Sequence, residues 1–366
     1  MNIIRFAIIA FSIWNLPTYL LEVSGEMMGS YSSYIMFILI IVYYVLSPKI
    51  PPSIAFVVLG IAYYSISGLQ YNGDFKHFAF KFFKFLVFVV GMSELISLCK
   101  IKHLYFFLLI GAGSIIINAV FFPHIYGRYS GFYLNPNLGA LIALIGFCFS
   151  FNISNKLLRM IGFVIFILAG VLTFSRFFII LWMLLSLFSI FIDKKNAEVI
   201  GIGVGSMVIV IATSAFLQLN TERFEAIENI LGNHISQGLS VLEKGSRQDT
   251  WSLFYTDILD NVIFGNGFYS MSGENEAKIG VHNSILLTLG EAGIIPFIII
   301  TYIYAKLLIN FLLQIKTNLY LGLLGVSLTA YLFVSHNFYD NYVFLFFSLW
   351  LFIKLRKDYL TESIKI

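Results

Sequence analysis

Four arginines and one histidine carry the chemistry this sequence offers. His282 stands in "GVHNS" (280–284), Arg247 in "GSRQDTW" (245–251), Arg176 in "TFSRFF" (173–178), Arg128 in "YGRYSGFYLNPN" (126–137) and Arg223 in "TERF" (221–224). A guanidinium fork matches phosphate oxygens bidentately and keeps its charge when partly desolvated. An imidazole titrating near neutrality can take a proton from a hydroxyl as that hydroxyl attacks. Asn283 or Asp249 is placed to orient such an imidazole, and Trp251 stands beside them as an aromatic contact for a substrate.

Each residue also has a plain structural reading. Arg176 can snorkel to headgroups, and a boundary position avoids the roughly 2.5–3.5 kcal/mol that insertion scales assign to an arginine at a helix centre. Arg128 can be solvated in its loop, and Arg223 can pair with Glu222 or Glu225. Arg247 falls in the first turn of an expected helix, where a cation opposes the helix dipole unless an anion joins it. His282 can cap the helix that follows or bond a neighbour. His336, in "SHNFYDNY" (335–342), is a second His-Asn of the same kind.

The elements that must position these residues are membrane helices. The 366 residues are 59% hydrophobic and only 11% charged, with mean hydropathy +0.88, too apolar for a soluble domain to bury. Apolar runs near 3–21, 33–47, 54–68, 83–98, 104–121, 137–153, 160–174, 177–192, 198–217, 283–305, 318–334 and 342–355 predict about twelve transmembrane helices. They lack the alternation of barrel strands, so the expected fold is an all-α polytopic membrane protein forming one integral domain over 1–366. The first run has no small-residue cleavage site and reads as a retained helix. Cys99 and Cys148 make no disulfide framework.

With the amino terminus inside, the cytoplasmic side takes about 14 basic residues and the outer side 9, several of the latter in one long loop. Both termini are then cytoplasmic. The excursion at 218–282, between the ninth and tenth spans, is too long for a passive connector. Within it "SRQDTWSLFYTDILD" (246–260) repeats Trp251, Phe254, Tyr255, Ile258 and Leu259 at helical spacing, with Ser246 as N-cap. Such a helix lies on the membrane surface or over a cavity. "GNGFYS" (265–270) then reads as a turn.

On this topology the four arginines and His282 face one compartment. A lipid-linked sugar diphosphate fits that placement, with its reactive bond at the headgroups and its tail in the bilayer. The cations would hold the donor and stabilise charge on the leaving diphosphate. Glu291, about 12 Å beyond Asn283 along the helix, reads as a neutral hydrogen-bonding group or as the counter-charge of a site arginine. No HExxH, Asp-x-Asp pair or Gly-rich phosphate loop supports a metal or nucleotide cofactor, and no nucleic-acid pattern is present.

The ordered set "GRYSGFYLNPNLGA" (127–140), "TFSRFF", "GSRQDTW", "IFGNGF" (263–268) and "HNSILLTLGEAGII" (282–295) resembles the bacterial O-antigen polymerase and O-antigen ligase superfamily over roughly the C-terminal two-thirds of the chain. The resemblance implies a fold of the C-type glycosyltransferase kind in the inner membrane, with a loop helix covering a periplasmic site. It implies metal-independent, inverting transfer of a glycan from undecaprenyl diphosphate. Arg176 and Arg247 would hold the diphosphate and His282 would act as base. Arg128, Arg223, Asn283, Asp249, Trp251 and Glu291 would be substrate contacts. Partners would be the undecaprenyl-diphosphate-linked donor, a glycan acceptor, membrane lipids and a chain-length regulator. The acceptor divides polymerase from ligase: a lipid-linked repeat unit, or the sugar of a lipid A core. The compact chain favours the polymerase. The short loop at 335–341 leaves little room for the second large periplasmic loop of some polymerases. A carrier that flips lipid-linked oligosaccharides is the alternative of another class.

Overall fold

The computed structural model describes residues 1–48, 50–123, 127–213, 247–273 and 280–363, with backbone alone at 247, 248 and 356–363. Every regular element among them is helical. The α-helices are α1 (Asn2–Ile13), α2 (Leu16–Ser24), α3 (Glu26–Leu46), α4 (Ile54–Ser67), α5 (Phe75–Ser97), α6 (Ile101–Phe121), α7 (Pro136–Ser150) and α8 (Lys156–Leu172). They continue as α9 (Arg176–Ile192), α10 (Glu198–Ala212), α11 (Arg247–Asp260), α12 (Ser284–Ala292), α13 (Ile294–Leu313), α14 (Leu319–Tyr331) and α15 (Tyr342–Ser363).

Four segments are long and apolar enough to cross a membrane: α3, α6, α13, and Lys194–Ala212, which joins a short 3-10 turn to α10. A fifth is added if α1 and α2, bent by 63°, form one span. The expected single helix at 3–21 is broken there. Asn15 adopts a left-handed φ of +52°, which ends α1, and Pro17 sits in the first turn of α2, where its missing N–H costs nothing. The expected span at 283–305 is likewise two helices, parted at Gly293.

Helix starts follow capping chemistry. Asn135 Oδ1 accepts from the N–H groups of Asn137 and Leu138 at the head of α7, Asn155 caps α8, and Asp74 caps α5 through the Lys76 N–H. The Asp74 cap starts α5 eight residues before the expected 83. Lys76 and Lys81, which precede the expected span, therefore ride on the same helix as Lys84. The helix expected at 246–260 is α11, whose burial is narrower than its spacing suggests: Phe254 and Ile258 are buried, while Tyr255 and Leu259 are exposed. Its expected cap, Ser246, lies outside the described residues.

Two compact units divide the chain. The first comprises Met1–Lys100, Thr250–Gln314 and Leu328–Ile366, and the second Ile101–Asp249 and Ile315–Ser327. In the first, α5 packs on α3, α4 and α15, and α4 packs on α12 and α13. In the second, α7 and α8 lie together with α6, α9 and α10 around them. There Gly146 lets the Phe166 ring close onto α7, the small-residue packing expected where helices cannot rely on a hydrophobic driving force. Arg159, in the first turn of α8, pairs with Glu198, at the start of α10, at 3.6 Å.

Candidate functional site

The "IFGNGF" and "GEAG" sequences build one joint of the first unit. Gly293 has φ +76° and Gly265 φ +71°, conformations that penalise any residue with a Cβ. A side chain at Gly293 would collide with the Ile263 carbonyl, and one at Gly265 with the Glu291 backbone. The close approach lets Asn266 N–H donate to the Gly290 carbonyl at 2.7 Å and Gly267 N–H to that of Glu291 at 3.1 Å. The Asn266 side chain donates to the Asp257 carbonyl of α11 at 2.8 Å, and Phe268 N–H to Ser67 at the end of α4 at 3.0 Å. One turn therefore ties three helices together.

Glu291 projects from this joint and is almost fully buried, with 1% of its surface exposed. Its Oε2 accepts from the Tyr63 hydroxyl and its Oε1 from the Met271 N–H at 3.1 Å. That is the hydrogen-bonding role of the two expected for it, and its donors are a phenol and a backbone amide. The Tyr63 ring stacks on Tyr339 at 3.6 Å, and the Tyr339 hydroxyl bonds Thr288 Oγ1 at 3.2 Å.

Glu291 also lines a cavity of about 310 Å³, walled by Lys81, Tyr269, His336 and Asp340 among others, all within the first unit. Lys81 Nζ is 3.0 Å from Asp340 Oδ2. Asp340 Oδ1 is buried with no hydrogen-bond partner among the described residues. Tyr269 has φ +66°, and its hydroxyl lies 3.1 Å from His77 Nε2.

His282 meets His336 at the edge of this cavity, Nδ1 to Nδ1 at 3.1 Å. One ring must donate and the other accept, so the two tautomers are opposite. His282 has φ +48°, rare for a non-glycine residue. Asn283 follows it as the N-cap of α12, its Oδ1 accepting from the N–H groups of Ile285 and Leu286. The cap of α12 is thus Asn283, and of the two structural roles open to His282 the structure shows the bond to a neighbour, His336.

The second unit brings two other motifs together. Arg128 Nε donates to the Thr173 carbonyl at 3.3 Å, and Ser175 Oγ to Asn137 Oδ1 at 2.9 Å. "GRYSGFYLNPN" thus lies along "TFSRFF", with Phe174 at φ +47° turning the chain so that Arg176 starts α9. Arg128 and Arg176 are both half-buried. Of the remaining candidates, Asp249 is exposed and Trp251 half-buried, with its Nε1 lacking a hydrogen-bond partner among the described residues. Arg247 opens α11 with its side chain outside the description, and Arg223 lies outside the described residues altogether.

Lys81, Asp340 and Tyr63 were not singled out by the sequence. The polar letters of "SHNFYDNY" between two apolar runs were the one signal available for His336 and Asp340. Tyr63 gave none, sitting in an apolar helix among other aromatics. Among the described residues no three His, Cys, Asp or Glu side chains are arranged to hold a metal ion. No family model, curated protein or solved structure matches the chain.

Proposed function

We propose that the chain is a bacterial plasma-membrane glycosyltransferase that transfers glycan from undecaprenyl diphosphate to the growing end of another lipid-linked repeat unit, the reaction of an O-antigen polymerase. In this reading about twelve helices cross the membrane, both termini are cytoplasmic and the site is periplasmic, in a fold of the C-type glycosyltransferase kind. The observation that carries it is the polar cavity of an otherwise apolar chain, with paired imidazoles at its edge. A hydroxyl entering that cavity meets an imidazole and a lysine. The order of the arginine motifs along the chain supports a diphosphate donor. The exposed Leu253, Tyr255 and Leu259 of α11 suit a helix lying in the headgroup layer.

In the proposed step the acceptor oxygen bonds the anomeric carbon as the bond to the diphosphate oxygen breaks. The electron pair leaves on the diphosphate, and the hydroxyl proton passes to the imidazole pair. Cationic side chains would hold the departing charge, and transfer inverts the anomeric centre.

The test is reconstitution of the purified chain in vesicles with undecaprenyl-diphosphate-linked repeat units on the accessible face. Longer lipid-linked glycans support the reading. Transfer to added lipid A core instead would make the chain a ligase, and translocation without new bonds a carrier. Activity should persist in chelator.

A further inference from the structure

We infer that α3 and α5 together hold an anionic membrane phospholipid, its phosphate bound by Lys84 and Ser33. Lys84 is half-buried on α5, one turn along from Lys81 of the cavity wall. Its Nζ donates to Ser33 Oγ of α3 at 2.8 Å and lies 4.5 Å from the centre of the Phe80 ring and 5.4 Å from that of Phe37. Among the described residues no carboxylate comes within ion-pair distance of it. Asp340, the acid whose field reaches Lys84, is already paired with Lys81. Ser33 accepts from Lys84 and gives its own proton to no acceptor among the described residues. An ammonium without a counter-ion and a hydroxyl donor thus stand side by side, a donor set that suits two oxygens of one phosphate.

Both helices change character at this height. On α3 the serines of "SYSSY" (30–34) give way to apolar residues from Ile35 onward. On α5 the polar residues His77, Lys81 and Lys84 give way to "FLVFVVGM" (85–92). Tyr31 and Tyr34 are exposed beside this change, as aromatic residues are at a headgroup layer. Beyond it Ile35, Ile38 and Ile41 are exposed along α3, an apolar surface for an acyl chain. The helices meet two turns further along α5, where a Cβ on Gly91 would fall 2.5 Å from Ile40 Cγ2. At the height of the polarity change the long lysine side chain bridges them instead.

These surroundings choose the occupant. A cation framed by aromatic rings at the start of an apolar run suits an amphipathic anion better than a freely hydrated one. With no carboxylate at the site, the ammonium of a zwitterionic headgroup finds no partner there, so the lipid carries net negative charge. The inference does not depend on the glycosyl-transfer reading. A lipid seated here would tie α3 to α5 one turn from the cavity wall.

The test uses the full chain in detergent, titrated in turn with phosphatidylglycerol, phosphatidylcholine and inorganic phosphate, with bound lipid counted by native mass spectrometry. Lys84→Gln is expected to bind phosphatidylglycerol about fivefold more weakly, the contribution of one lysine at an anionic surface. Its binding of phosphatidylcholine should be unchanged. Ser33→Ala should fall between Lys84→Gln and wild type, and Lys84→Arg should stay close to wild type. Undiminished phosphatidylglycerol binding by Lys84→Gln would overturn the inference and leave a lysine that only snorkels to water. An equal loss for both lipids would also overturn it, as would displacement of phosphatidylglycerol by inorganic phosphate.

A second measurement needs no loss of function. In wild-type chain labelled with ¹⁵N-lysine in bilayers containing phosphatidylglycerol, the Lys84 ammonium is identified by its absence from Lys84→Arg. Dephasing of that signal by ³¹P should place a phosphorus within roughly 4 Å, an N–H···O contact and a P–O bond away. No dephasing there overturns the inference whatever the affinities show.

Discussion

Tyr63 donates its phenolic hydrogen to the Glu291 carboxylate across 228 residues of sequence, and the same carboxylate receives the Met271 amide. A helix of the amino-terminal region, the joint at Gly293 and the turn leading to His282 thus meet at one buried side chain. Removing Glu291 would leave both donors without an acceptor, at about 1–3 kcal/mol for each unsatisfied group. Glu291→Ala is expected to lower the midpoint of thermal unfolding in detergent by many degrees. Glu291→Gln keeps an acceptor and should recover most of the loss. An alanine variant as stable as wild type would show that the contact contributes nothing.

Gly293 of the joint and Gly201 of α10 make a contrasting pair. Gly293→Ala places a side chain into the Ile263 carbonyl at a left-handed φ, so it should displace the 263–273 turn. Faster amide exchange at Asn266 and Gly267, whose donors it would uncouple, is the readout. Gly201 has open space around its Cα within α10. Alanine there should be neutral or stabilising by about 0.5–1 kcal/mol, the helix-propensity gain. Equal damage from both substitutions would deny the joint its special geometry.

These glycines also mark how far the sequence can be read. Helical class, the turn at 265–270 and helix α11 follow from apolar runs, glycine pairs and spacing, because those features act locally. The break at Gly293 does not, since an apolar run reads alike whether its helix is continuous or bent. The Asp74 cap starts α5 eight residues before the apolar run, which places Lys81 on a helix at the cavity wall. The His282–His336 contact joins residues 54 apart. Two His-Asn pairs at helix boundaries hinted at equivalence, but nothing in one sequence says that the two ends meet. Tyr63 illustrates the general limit: its function depends on which carboxylate packs against it, and that is a tertiary fact.

Lys81 and Asp340 form an ion pair whose side chains are 26% and 30% exposed, so solvent screens it only partly. A double-mutant cycle with Lys81→Met and Asp340→Asn should give a coupling of about 1 kcal/mol, the upper part of the range for accessible pairs. Because both residues wall the cavity, Asp340→Asn should also weaken acceptor binding, seen as a raised KM. A coupling near zero would reduce the pair to a solvated contact. An unchanged KM would remove Asp340 from the acceptor's surroundings.

Arg176 gives the sharpest test of the donor side. Its place at the start of α9 is set by Phe174 and by the Ser175–Asn137 hydrogen bond, while Arg128 is tethered to the Thr173 carbonyl three residues before it. A helix amino terminus repels a cation, so an arginine there is unfavourable unless an anion shares the site. If that anion is a diphosphate gripped by the guanidinium fork, lysine retains the charge but loses the bidentate geometry. Arg176→Lys should then raise the donor KM by about tenfold, and Arg247→Lys should behave alike. Removing the cation with Arg176→Gln should weaken donor binding further. Unfolding midpoints with and without undecaprenyl diphosphate separate these outcomes. A donor-induced rise that is equal in wild type and Arg176→Gln would mean that the arginine binds headgroups or solvent and that the diphosphate is held elsewhere.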